Sequence, residues 1–308
     1  MRKELPPPVL LAALCLTVAA PSFAQEITFD KVKIRFQRSD TDRRLVYKDI
    51  DLLFNDQSGR MVVRSNDRPL DVAYGDVHKV IFEVTTHMRG GLLGAMIPGA
   101  VGQAITMGHV KDYLCYIEYR TPDGDVEPYL LEIDKEQSPK VIQHMQDIFG
   151  DRVSFPEFAE NASVEDIDKD LLPDIKSKHD MKADKEQHPL PELLADKALV
   201  VVVCPALAAR FTGDGNQVRI HANDRVEAVN KSGTYSWFYL EPGDYQLASQ
   251  AGNASALRTT VEEGMAYYFL QNTFKGDFRS NTTLSRHSKE IVMYELDGAY
   301  YSVWNRKQ

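Results

Sequence analysis

The chain has 308 residues, 36 of them Lys or Arg against 45 Asp or Glu, for a formal net charge of −9, and only three cysteines. An acidic chain with no basic stripe argues against a nucleic-acid interface. Without a Cys-x-x-Cys pair or a Cys/His ligand spacing, it also argues against structural zinc and dithiol redox chemistry, and no cofactor is expected.

Arg2 and Lys3 precede an apolar run from Val9 to Ala20 and then Ser22-Phe23-Ala24, with small residues at the two positions a signal peptidase reads. Residues 1–24 are therefore expected to be a cleaved secretory signal, which places the protein across an inner membrane and in the periplasm. Lipoprotein processing at Cys15 is the competing reading, but Leu14 stands where that processing wants a small residue. Removing 24 of 308 residues leaves 284, more than one hydrophobic core usually serves, so two domains are expected.

From Ile27 to Phe82 apolar residues fall on alternate positions, as in Val32, Ile34, Phe36, then Ile50, Leu52, Phe54, then Met61, Val63, then Leu70, Val72. That is strand periodicity, broken by turn-forming stretches such as "NDQSGR" and "SNDRP". Two longer strands, "HKVIFEVTT" and "KDYLCYIEYR", flank a Gly-rich insert, and "TPDGDVEPYLLEID" adds another. A helix follows. Ser138 is the expected cap and Pro139 the first turn; Val141, Ile142, Met145, Ile148 and Phe149 form one apolar face, and Gly150 stops it. A meander closed by one amphipathic helix, over residues 45 to 150, resembles the pleckstrin-homology-like and GRAM-like superfold. The resemblance is one of element order, carries no phosphoinositide-binding cluster, and implies binding or scaffolding only.

The insert, Gly90 to Gly108, holds six glycines, three alanines and seven larger apolar residues, with no charge. As a straight helix its 19 residues would reach about 28 Å, marginal for a hydrocarbon core of about 30 Å, and Pro98 weakens that helix. A single crossing would also split the sheet that its flanking strands are expected to share. Two readings stay open. The insert packs closely through Gly90, Gly91, Gly94, Ala95 and Gly99, against its own domain or against another copy of the chain, or it presents Leu92, Leu93, Met96, Ile97, Val101, Ile105 and Met107 to a membrane or a protein partner. His87 and His109 bracket it, but no third metal ligand is indicated beside them.

Residues 156–196 are crowded with charge and proline and are expected to be a charged linker, with a short helix near Val164 to Leu172. The two domains are thus expected at 25–155 and 197–308. Cys115 and Cys204 lie on either side of the linker, each in an apolar run, and could be bridged or could be buried free thiols.

From Ala198 the run "ALVVVVCP" suits a strand buried on both faces, and the short strands that follow alternate with turn signals at Asn223-Asp224 and Pro242-Gly243. The terminal "IVMYELDGAYYSVW" adds a strand or a short helix. Regular short strands of this kind indicate a β-sandwich. With Leu240-Glu241-Pro242-Gly243-Asp244-Tyr245 and Arg210-Phe211-Thr212-Gly213, this half resembles the PEGA-like domains of bacterial envelope proteins and an uncharacterised bacterial family allied to them. The resemblance implies an envelope-associated interaction module with no activity assigned.

No Gly-x-Ser-x-Gly elbow occurs, and "GDGNQ" at 213–217 is too short for a phosphate loop. The expected protein is therefore mainly β (α+β), a PH-like roll with a C-terminal helix followed by a small PEGA-like sandwich. Its expected function is that of a non-catalytic envelope adaptor rather than an enzyme. A periplasmic carrier of a small apolar ligand, or an unrecognised hydrolase, are the alternatives.

Overall fold

The computed structural model describes residues 26–37, 45–88, 109–172, 181–186, 188–206, 217–275 and 280–304. The expected leader, residues 1–24, lies outside them. So do all seven candidate contact residues of the insert, Leu92, Leu93, Met96, Ile97, Val101, Ile105 and Met107. The described chain is mainly β, with three sheets and two α-helices.

The first sheet contains β1 (Glu26–Gln37), β2 (Leu45–Asn55), β3 (Arg60–Arg64), β4 (Leu70–Ala73), β5 (Val77–Met88), β6 (His109–Arg120), β7 (Val126–Ile133) and β8 (Val153–Ser154). Their spatial order is β4-β3-β2-β1-β7-β6-β5-β8. A register shift between Phe29 and Val32, with Lys31 in the left-handed region at φ 57°, marks a bulge in β1. Bulges bend a strand, and β1 pairs with β2 along most of its length but with β7 only from Val32 to Arg35. The sheet curls there, so Leu52, Phe54 and Met61 meet Val80, Phe82 and Ile117 in one core.

Helix α1 (Ser138–Phe149) covers that core with Val141, Met145 and Phe149. Its start differs from expectation: Gln137 holds the cap position, while Ser138 is the first helical residue and donates from Oγ to the Lys135 carbonyl at 3.0 Å. Gly150 ends it, at φ 55°, where a side chain would be strained.

The C-terminal half is sandwich-like. One sheet holds β10 (Met181–Asp184), β11 (Ala198–Cys204), β14 (Thr234–Leu240), β17 (Ala266–Lys275), β18 (Ser280–His287) and β19 (Tyr300–Trp304), in the order β10-β19-β14-β11-β17-β18. The other holds β9 (Glu165–Ile167), β12 (Val218–Ala222), β13 (Arg225–Asn230), β15 (Gly243–Gln250) and β16 (Ala254–Val261), in the order β13-β12-β15-β16-β9. Val200, Phe238, Leu247, Leu257 and Phe269 fill the space between them. All seven residues of β11 are buried, as a strand covered on both faces requires.

The stretch expected as a charged linker departs from the sequence reading. The stretch 156–196 supplies edge strands β9 and β10 to the two sandwich sheets, and residues expected as a helix near 164–172 form β9 and a 3-10 turn at Lys169–Leu171. Unpaired sheet edges there offer more hydrogen bonds than an isolated short helix keeps. Cys115 and Cys204 are both buried free thiols, each inside its own half.

Helix α2 (Lys289–Asp297) joins the halves. Its Ile291 and Val292 pack with Ile81, Leu114, Tyr116 and Leu130 from the outer face of the first sheet and with Val203, Tyr235 and Leu270 from the outer face of the sandwich. The layers therefore run α1, first sheet, α2, sandwich.

Candidate functional site

Strands β5 and β6 pair antiparallel from Val77↔Tyr119 to Met88↔His109, with His87 opposite Val110. The insert thus leaves and returns at one end of a single hairpin. A segment joined in this way cannot deliver its two ends to opposite faces of a bilayer, which disposes of a single crossing. Among the described residues no helix is long and apolar enough to cross a membrane.

The root of that hairpin is where α2 is held. Successive side chains of a strand point to opposite faces, so Val80 and Phe82 enter the first core while Lys79, Ile81 and Glu83 face α2. Lys79 Nζ lies 3.0 Å from Glu290 Oε1. Glu83 is 3% exposed and makes two contacts: Oε1 accepts from the Ser288 backbone N–H at 3.0 Å, and Oε2 lies 2.7 Å from His287 Nδ1. Ser288 is the residue preceding α2, so the carboxylate sits at the positive end of the helix dipole. His287 Nε2 in turn lies 2.8 Å from Ser285 Oγ.

At the other end of α2, Glu295 Oε1 lies 3.1 Å from Arg35 Nη1, both side chains at 5% exposure or less. Tyr47 Oη accepts from the same guanidinium, and Tyr294 Oη donates to the Arg35 carbonyl at 2.6 Å. Burial works against the charge on Arg35, yet Glu295 and the neighbouring Tyr47 and Glu132 outweigh it and raise its pKa. For Glu295, burial dominates over the pull of Arg35 and raises the carboxyl above the usual range. The arginine stays charged, and the glutamate's charge is the costly member of the pair. Helix α2 is thus pinned to the first sheet at both ends by buried polar contacts.

Between these pins a groove of about 840 Å³ opens to solvent, floored by Phe36, Tyr116, Met293 and Tyr294 and rimmed by Arg68, Lys79, Glu118, Glu127 and Glu290. Its rim is largely self-paired: Tyr119 Oη donates to Glu127 at 3.0 Å, and Lys79 holds Glu290. Burial raises the Glu290 pKa, but its own backbone N–H and Lys79 outweigh that and leave it lowered. Ser285, His287 and Glu83 stand in the hydroxyl, imidazole, carboxylate order of an acyl-transfer site. Ser285 is only 9% exposed, however, and does not line the groove.

Metal-ligand chemistry is concentrated elsewhere. Asp184, Glu186 and His188 each bring one donor atom within 4.8 Å of the others, beside β10. Asp184 Oδ2 is already 2.9 Å from His188 Nε2, and Oδ1 accepts the Glu186 N–H at 3.0 Å. These contacts, the backbone one foremost, lower the Asp184 pKa. Two carboxylates and an imidazole could ligate a divalent cation.

The residues that pin α2 were not singled out in the sequence because charged residues in alternating strands read as solvent-facing. A signal was present: "VIF", "YLCYI" and "YLL" in β5, β6 and β7 are apolar at consecutive positions, the mark of strands covered on both faces. No family model matches the chain, and no curated protein matches it.

Proposed function

We propose that the protein is a non-catalytic adaptor of the cell envelope, exported to the periplasm, whose insert 90–108 contacts a membrane surface or a protein partner through Leu92, Leu93, Met96, Ile97, Val101, Ile105 and Met107. The observation that supports this most is the continuous β5–β6 pairing up to Met88↔His109. It makes the insert the tip of the same hairpin whose root carries α2 and, through α2, the sandwich. One hairpin thereby joins a segment with seven large apolar residues, which lies outside the described residues, to the second half of the molecule. Burying even some of those side chains, at roughly 1.5–3 kcal/mol each, gives useful attachment. In this reading the first sheet with α1 is a PH-like roll and the second half a PEGA-like module, two interaction domains held in fixed relation.

Deletion of residues 91–107 tests it, with liposome flotation and solution mass as readouts. Loss of flotation identifies a membrane contact, and loss of a stoichiometric partner or of self-association identifies a protein contact. A deletion variant that behaves as the parent in both assays overturns the proposal.

One observation favours the carrier reading as the second choice. The groove of about 840 Å³ beside α2 has an apolar floor and charged rim suited to an amphiphilic small molecule. The space between the first sheet and α1 is filled by Val141, Met145 and Phe149. A small molecule retained in native mass spectra after gentle extraction, and lost on Met293→Glu, would establish the carrier in place of the adaptor.

A further inference from the structure

Tyr235, Trp237 and Tyr239 alternate along β14 with Phe238 and Leu240, which turn into the sandwich, so the three aromatic rings share its outer face. Tyr301 of β19 completes the surface, its ring stacked on Trp237 at 6.1 Å and tilted against Tyr235 at 5.4 Å, while Tyr239 meets Trp237 edge-on at 5.9 Å. Across this surface runs the segment His188-Pro189-Leu190-Pro191-Glu192, which belongs to neither helix nor strand.

The contacts between them are in register. Tyr235 Oη donates to the His188 carbonyl, and Tyr239 Oη donates to the Glu192 carbonyl at 2.6 Å. The donors are four positions apart in sequence, and so are the acceptors. Four residues of strand span about 13 Å at the usual rise; four residues of polyproline II helix span about 12 Å. Leu190, midway along the segment, packs into the same cluster as Trp237 and Tyr301. His188 is fixed from a second side by Asp184 at 2.9 Å and by the Tyr301 ring at 4.9 Å.

Two flat aromatic hydroxyls reading backbone carbonyls, with a tryptophan between them, constitute the chemistry by which aromatic grooves take extended proline-rich peptides. The fit is incomplete in one respect: the Trp237 indole Nε1 is buried and has no hydrogen-bond acceptor. A buried unpaired donor costs roughly 1–3 kcal/mol, so a peptide that places a carbonyl over Trp237 gains what the resident segment forgoes.

We propose that the outer face of β14 is a recognition groove for extended proline-rich segments of a partner protein, occupied in this chain by its own His188–Glu192 strap. The strap acts as a tethered competitor. Tethering gives it an effective concentration on the order of millimolar, so an outside peptide binds measurably only where the strap is loosened or the peptide fits better.

The test uses the full chain and a fluorescent peptide of sequence EQHPLPELL, residues 186–194, with a control in which both prolines are glycine. The double variant Pro189→Gly with Pro191→Gly loosens the strap and leaves the aromatic face unchanged. It is expected to bind the peptide at least tenfold more tightly than the parent, to lose that gain when Tyr235→Phe and Tyr239→Phe are added, and to ignore the control peptide. Equal binding to all three proteins, or to both peptides, overturns the proposal. So does a loosened variant that runs as a dimer, since the straps would then exchange between copies. Hydrogen exchange on the parent protein covers the case of a variant that does not fold. The Leu190 and Glu192 amides are expected to exchange well before those of β14, and exchange only with global unfolding overturns a displaceable strap.

Discussion

Glu83 on β5 and His287 at the end of β18 meet at 2.7 Å in the buried seam between the two halves, and the second oxygen of the same carboxylate receives the Ser288 N–H at 3.0 Å. One side chain of the first sheet therefore satisfies both the imidazole and the N-terminal backbone of the helix that carries the seam. Glu83→Ala leaves both donors without an acceptor where water is excluded, and a loss of roughly 2–4 kcal/mol is expected. Glu83→Gln keeps an acceptor for Ser288 and is expected to lose less. Urea denaturation of the three proteins checks this; an alanine variant as stable as the parent means the seam opens to water.

Arg35 and Glu295 make a different forecast, because a buried ion pair is costly to break and not necessarily valuable to keep. Removing either partner alone, as Arg35→Met or Glu295→Leu, strands the other charge and is expected to cost roughly 3–5 kcal/mol. The two changes together are expected to recover part of that, since both side chains lie at 5% exposure or less, while Tyr47 and Glu132 beside Arg35 lose its charge in either case. A double-mutant cycle in urea provides the measurement, and additive losses would show that the pair is not electrostatically coupled.

The two glutamates of α2 are expected to titrate in opposite directions. Glu290 is lowered, so its contribution to stability is present above the ordinary glutamate range and is lost as pH falls through its folded pKa. Glu295 is raised, so its contribution is full below the ordinary range and is lost as pH rises through its folded pKa. Carboxyl-carbon NMR titration distinguishes them. Finding Glu295 below Glu290 would contradict the burial assigned to the Arg35 end of the helix.

Cys115 and Cys204 lie within apolar strands, and burial pushes the Cys204 thiol up to about 12, with Thr273 pulling weakly against it, and the Cys115 thiol higher still. Thiolate is the reactive form. Neither residue is therefore expected to react with a thiol reagent at pH 8 while the protein is folded, and both are expected to react at once in denaturant. Protection that survives denaturation until a reductant is added would mean that they are bridged.

Much of the strand layout is legible in the sequence because it rests on local alternation: Ile34, Leu52, Met61 and Val72 each fall on the buried parity that their spacing indicates. Turns were legible for the same reason, as at Asn223, which adopts φ 56° and receives the Gln246 N–H at 2.9 Å. What sequence did not disclose depends on partners distant in the chain. Met181–Asp184 and Glu165–Ile167 are too short and too charged to signal strands, and they become strands because β19 and β16 offer them an edge. Glu83, Arg35 and Glu295 look solvent-facing until α2 covers the first sheet, 204 residues separating Glu83 from His287. The aromatic alternation of Tyr235, Trp237 and Tyr239 is a local pattern, but its match to a proline strap 47 residues earlier is long-range and leaves no periodic trace.

Among the described residues, β18 is the last strand of its sheet, beside β17 only. An exposed edge strand is a template for pairing with other chains unless it is blocked. Here two asparagine side chains stand in for the missing strand. Asn253 accepts the Thr282 N–H at 2.7 Å and donates to the Thr282 carbonyl at 3.1 Å, and Asn161 does the same for Arg286 at 2.8 and 2.7 Å. Both lie in an Asn-Ala-Ser sequence, one ahead of β9 and the other opening onto β16, and those strands pair with each other. The duplicated motif thus clips the second sandwich sheet to the edge of the first. At about 0.5–1.5 kcal/mol per hydrogen bond, Asn161→Ala or Asn253→Ala is expected to cost roughly 1–3 kcal/mol. The double variant is expected to lose more than stability: with both clips gone, the Thr282 and Arg286 backbone groups on the edge of β18 have no partner. Light scattering that rises with protein concentration below the melting temperature is the expected sign. A double variant that melts lower but remains free of association would show that Asn161 and Asn253 brace the sandwich without guarding its edge.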